Sequence, residues 1–168
     1  MSAEDPVPAR RAAVAAAVER LGADHREVLE LRNALGFALH RAGRLEEAEA
    51  ELRAAHADCA RVLGPTDGTT LLGQRFLTAV LVDAGDLAEA ERLQRELVEA
   101  SVTALGEHAP ATLGSRVNHA VLLHRLGRRD AAERQQRSTL EVCARVLGAD
   151  HPITSGCRTS LEVMQGTS

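Results

Sequence analysis

The 168-residue chain is 45% hydrophobic and 26% charged, a globular balance with enough length to bury the core of one ordinary domain. It has a net charge of −4, two Phe, no Tyr, no Trp and no lysine. That excludes an aromatic platform for stacked bases and lysine-dependent Schiff-base or phosphate-loop chemistry, and it argues against nucleic acid as a partner. Three cysteines are too few for a disulfide framework and fit a reducing cytoplasm.

In chain order, the first predicted element is a helix from Pro6 to Leu21. Its apolar run, Ala12 to Val18, follows Arg10 and Arg11, but Glu4 and Asp5 precede it and Glu19 and Arg20 close it. It therefore reads as a helix and not as an export leader. No stretch approaches the ~20 apolar residues of a membrane span, so no membrane partner is expected.

From Leu21 onward the chain repeats. Leu-Gly occurs at Leu21-Gly22, Leu63-Gly64, Leu105-Gly106 and Leu147-Gly148, each 42 residues after the last, and a second glycine recurs at Gly43, Gly85 and Gly127 with the same spacing. Each period splits into two helices. The first-type helices are predicted over 24–42, 67–84 and 108–126, with apolar residues every three or four positions (Val28, Leu31, Leu35, Leu39). Asp24, Thr66 and Asp150 are placed to accept the free N–H groups of the first turn, and Pro110 and Pro152 fit where no N–H is needed. The second-type helices are predicted over 44–62, 86–104 and 128–146. Asp150 to Gln165 reads as one closing first-type helix. Its Glu162 stands where the full repeats have Gly36, Thr78 and Ala120, as suits a helix that faces water.

Antiparallel helix pairs at this period make an all-α, right-handed alpha-solenoid of about eight helices. The expected layout is a single repeat domain over 1–168, with a capping helix at 6–21, repeats at 22–63, 64–105 and 106–147, and a closing cap at 148–168.

Gly43 to Glu49 (Gly-Arg-Leu-Glu-Glu-Ala-Glu), Gly85 to Glu91 (Gly-Asp-Leu-Ala-Glu-Ala-Glu) and Leu147 to Thr154 resemble tetratricopeptide repeats of the long, 42-residue kinesin-light-chain type. HEAT and armadillo repeats share the length but lack the glycine-then-Glu-Ala turn. The chain departs from this family where an aromatic is usual in the second helix, having Leu52, Gln94 and Gln136. Where a tyrosine is frequent in the first helix it has His40, Val82 and His124.

Little in the sequence carries chemistry. His25, His108 and His151 fall at first-type helix starts and are expected to act in turns and caps. His40 and His124 are repeat-equivalent and roughly 20 Å apart at ~10 Å per helix step, too far to share one metal ion. His119 stands where Leu35 and Leu77 stand and is expected to be partly buried. Cys59 and Cys143 are repeat-equivalent, with Ser101 between them, and read as small buried side chains; no nucleophile elbow or dinucleotide fingerprint is present. No catalytic residue, metal or cofactor is expected.

The resemblance implies a concave groove walled by one face of each first-type helix. Its candidate binding residues are Asn33, Phe37, His40, Arg41, Arg75, Asp83, Asn118, His124 and Arg125. That set leans positive in an acidic protein. It points to a protein or peptide partner bearing an acidic or carboxylate group, because arginine forks pair well with carboxylates. The residues of chaperone-tail-binding members do not carry over, since most of the corresponding places (Asn33, Phe37, Phe76, Gly114, Asn118) do not match and lysine is absent. The expected function is a non-catalytic, cytoplasmic binding scaffold or adaptor, and the alanine-rich, lysine-free composition suggests a bacterial source. Two alternatives stay open: a small enzyme or small-molecule binder using His40, Asp83, Arg75 or His124, with a His–Asp contact undetermined, or a sensor segment of a larger signalling ATPase. The sequence leaves the oligomeric state open.

Overall fold

The computed structural model describes residues 6–166. Among these the chain forms eight α-helices: α1 (Val7–Leu21), α2 (Arg26–Arg41), α3 (Leu45–Val62), α4 (Gly68–Ala84), α5 (Leu87–Leu105), α6 (Pro110–Arg125), α7 (Arg129–Val146) and α8 (Pro152–Met164). The bounds fall within two residues of the predicted ones, because the glycine and proline punctuation leaves little choice. At Gly64 and Gly85 the chain takes φ of +94° and +88°, a left-handed turn that a side chain would oppose.

The chain falls into two compact units, Met1–Asp86 and Leu87–Ser168. In the first, α2 packs on α1 and α3, and α4 packs on α3 and α2. In the second, α6 packs on α5 and α7, and α8 on α7 and α6. Each unit thus stacks helix pairs so that first-type helices touch one another directly, which builds a continuous wall within the unit.

The core is made of small and aliphatic residues that the period places on facing helices. Ala48, Ala90 and Ala132, the recurring alanines of the second-type helices, are fully buried. They admit close helix approach where a larger side chain would hold the pair apart. Beside them Leu52 is buried against Gly36. A Cβ built on that glycine would lie 2.4 Å from the Leu52 Cγ. The equivalent Gln94 and Gln136 are also buried. Each donates from Nε2 to a main-chain carbonyl of the following helix, Ser115 O and Cys157 O, at 2.9 Å. The amide thereby satisfies its donor inside the core, where an unpaired one would cost a full desolvation penalty.

The helix starts correct one expectation. Asp24, Thr66 and Asp150 are not the capping residues; the caps lie one position later. His25 Nδ1 accepts from Glu27 N, Asp67 Oδ1 from Thr69 N and His151 Nδ1 from Ile153 N. His25 and His151 therefore act in caps, whereas His108 does not. The cap of α6 is Ala109, with Pro110 in the first turn and no side-chain bond. Asp24 instead receives Arg61 from the end of α3. Asp67 is gripped by both terminal nitrogens of Arg26 at 3.1 and 2.8 Å, which holds its carboxyl down to about 2. Glu162 on α8 is exposed.

Candidate functional site

The wall of the first unit is formed by α2 and α4. Phe37 and Phe76, the only aromatic residues of the protein, meet there as a stacked pair, ring centroids 4.8 Å apart and planes at 28°. Phe37 remains 41% exposed. A cavity of about 320 Å³ opens beside them, lined by Arg10 of α1, by Glu30, Asn33, Ala34 and Phe37 of α2, and by Gly68, Thr69, Leu72 and Phe76 of α4. Its lining is mostly apolar with one cation and one carboxylate among it, the usual make-up of a ligand pocket.

The predicted residues distribute unevenly around this wall. Asn33 is buried beneath it. Its Nδ2 donates to Thr69 O at 2.9 Å, tying α2 to α4, and its Oδ1 is buried without a hydrogen-bond partner. The Asn33 side chain occupies the space that a side chain at Gly73 would need, since a Cβ there would stand 2.6 Å from Oδ1. His40 and Asp83 do meet: His40 Nε2 donates to Asp83 Oδ2 at 2.7 Å, the histidine largely covered and the carboxylate 58% exposed. Neither residue lines the cavity beside the phenylalanines. The pair sits on open surface, without the enclosure in which acid–base chemistry gains most. Arg41 and Arg75 are exposed; like Arg10, they form no ion pair with any described carboxylate.

In the second unit Asn118 and Arg125 are exposed on α6 and His124 is half-buried, its Nδ1 covered and without a hydrogen-bond partner. The polar cluster of this unit lies elsewhere. His119 Nε2 donates to Glu91 Oε1 of α5 at 2.9 Å, and His119 Nδ1 receives Gln135 Nε2 of α7 at 3.1 Å. Gln135 Nε2 also donates to Arg116 O, which fixes the amide and through it the tautomer of the ring. Both nitrogens of His119 are thus committed. The hydrogen bond from His119 outweighs burial and keeps the buried Glu91 carboxyl below its usual range. The cluster clamps three helices together and leaves no free base.

All three cysteines are buried. Burial pushes the Cys157 thiol up to about 12 and raises those of Cys59 and Cys143, so none has the thiolate character of a nucleophile.

Sequence reasoning left Phe76 and Arg10 out of the candidate set. The signal for Phe76 was present: it is the second of two aromatics and holds the repeat position of Ala34, one helical turn from that of Phe37. The partnership of Glu91 with His119 had a weaker signal, the histidine in a position otherwise leucine.

Stacked helix pairs of this period, with an exposed aromatic on one wall, define a helical-repeat module. Residues 27–101 and 112–153 match models of the tetratricopeptide repeat; the chain belongs to the tetratricopeptide repeat family, whose members are in general scaffolds for protein interaction. No curated protein matches the chain in sequence. Among solved structures it is similar to a kinesin light chain protein of nearly identical TPR-like repeats from Podosopora anserina (TM-score 0.83, 22% identity, 96% of this chain and 78% of that one) and to a point variant of it (TM-score 0.84, 22% identity, 96% and 77%). It is also similar to BtubC (BKLC) from P. vanneervenii, with TM-score 0.75, 19% identity, and 96% and 66% coverage. These likenesses establish the fold. Among the described residues no helix is long and apolar enough to cross a membrane.

Proposed function

We propose that this protein is a non-catalytic adaptor that binds an acidic peptide or protein segment on the α2–α4 wall, in the cytoplasm of a bacterium. The observation that carries the reading is the Phe37–Phe76 stack beside its cavity. A half-exposed, rigid aromatic pair next to a concave apolar space is the composition of a binding hot spot. Arg10, Arg41 and Arg75 stand exposed and make no ion pair with a carboxylate among the described residues, which favours a ligand that brings one. Within the second unit, taken by itself, Asn118, His124 and Arg125 are the candidate binding residues. No observation favours an enzyme over this reading, since the His40–Asp83 pair lies outside the cavity.

The test is affinity capture from the native host with wild type, Phe37→Ala and Arg75→Glu as baits, followed by mass spectrometry. The reading expects a partner retained by wild type and lost by both variants. Equal capture by all three would remove the wall from the binding site.

A further inference from the structure

The repeat supplies an internal control on one arginine. In the first unit Arg32 of α2 is held by two carboxylates of α3. Its Nε donates to Glu51 Oε1 at 2.8 Å and its Nη1 to Asp58 Oδ2 at 2.6 Å. One period on, the same three places hold Gln74, Leu93 and Ala100, so the arginine and both acids have been exchanged together. A further period on they hold Arg116, Gln135 and Val142. Here the arginine is present and both acids are gone. Arg116 is half-buried and makes no ion pair with a carboxylate among the described residues. Gln135 does not stand in for the lost acid, because its Nε2 donates to the Arg116 main-chain carbonyl and to His119 Nδ1. A guanidinium drawn partly out of water without a counter-charge gives up hydration that nothing returns.

The space beside it is concave. A cavity of about 290 Å³ within the second unit has Arg95 and Glu99 of α5, Arg116 of α6, and Gln135 and Ser138 of α7 in its lining. Arg95 is exposed and likewise makes no ion pair with a carboxylate among the described residues. Its charge helps to hold down the Glu91 carboxyl, which is already bonded to His119.

We propose that this cavity binds a small dicarboxylate, one carboxylate on Arg116 in place of the acids that Arg32 has, the other on Arg95. Carboxylate is the group that the same arginine position takes in the first unit. Two guanidinium groups on one lining match two carboxylates, which they pair with in plane. The volume lies at the small end of ligand pockets and suits a molecule of a few carbon atoms. Glu99, the one acid on the lining, disfavours a ligand of higher charge, such as a pyrophosphate or a tricarboxylate.

Isothermal titration calorimetry of the intact protein with glutarate at fixed ionic strength tests this. Glutarate is expected to bind at one site, roughly tenfold or more tighter than acetate, and more tightly than inorganic phosphate or a hexaglutamate peptide. Arg116→Gln, which installs the residue found at position 74, should weaken glutarate roughly tenfold or more. Val142→Asp should do the same without removing an arginine, because it returns an acid to the place of Asp58 and gives Arg116 an internal partner. Arg95→Gln, at an exposed position, should weaken glutarate severalfold and serves if either other variant fails to fold by circular dichroism. A wild type that takes up no glutarate at millimolar concentration, or binding unchanged in the folded variants, would overturn the proposal. So would acetate binding as tightly as glutarate, or a preference for phosphate or for the peptide.

Discussion

The two units solve the same packing problem with different chemistry. Where the first unit has Leu52 buried against Gly36, the second has Gln94 and Gln136 buried and bonded to main-chain carbonyls. Where the first has Leu35 and Leu77, the second has His119, bonded to Glu91 and Gln135. The repeat constrains volume and donor satisfaction at these places more tightly than it constrains polarity. An apolar plug needs only a matching hole, whereas a polar plug needs each donor to find an acceptor at fixed geometry. The consequence for function is a division of surface. At these places the first unit uses apolar side chains and carries its aromatic pair on the wall, while the second bonds polar side chains inside.

The largest expected effect is at the apolar plug. Leu52→Ala should destabilise the protein by about 3 kcal/mol, through lost transfer energy and a residual cavity. Gln136→Ala should cost about 2 kcal/mol, because the amide contributes less apolar burial and one hydrogen bond. Urea unfolding of both variants compares the two solutions on one scale, and a larger loss for Gln136→Ala would reverse the ranking.

His119→Leu imitates the first unit but strands the Glu91 carboxylate. Its nearest remaining cation is then Arg128, 3.8 Å away. The single change should cost about 2 kcal/mol, and the double change Glu91→Leu/His119→Leu should recover most of that, since removing both members of a buried polar pair is far milder than removing one. A double-mutant cycle measures the coupling. Additive losses would mean that the cluster clamps nothing.

Gly36→Ala should lose about 1 kcal/mol. Crowding against Leu52 costs about 2 kcal/mol and the gain in helix propensity returns about 1 kcal/mol. A thermal melt of higher midpoint would show that Leu52 has room to yield.

The smallest effect is acid sensitivity at Asp67. Its carboxyl is depressed to about 2 by Arg26, so its contribution is complete above the unfolded value of about 4 and is lost as pH falls through about 2. Between those limits wild type should lose stability faster than Asp67→Asn. Parallel curves would show that the Arg26 bond is unimportant in solution.

The helices and their ends were legible because Leu-Gly at Gly22, Gly64, Gly106 and Gly148 and the alanines at 48, 90 and 132 recur without drift. The caps were misread by one position. Asp24 and Asp150 are good capping residues by type, while histidine caps only when its Nδ1 lone pair happens to face the first turn. Side-chain meetings between helices were harder. Phe37 with Phe76, and His40 with Asp83, depend on the axial offset of neighbouring first-type helices, which a period alone does not specify. Glu91 looked like the solvated glutamates around it, such as Glu47 and Glu49. Only the neighbouring helix shows that it faces inward.

We propose that the aromatic wall of the first unit binds acidic segments, and selection of random peptides displayed on phage against the intact protein tests this. Enriched sequences are expected to place an apolar side chain beside Asp or Glu, with binding lost in Phe37→Ala and weakened roughly tenfold in Arg75→Glu. Enriched peptides that bind wild type and Phe37→Ala equally, or that carry no carboxylate, would contradict it.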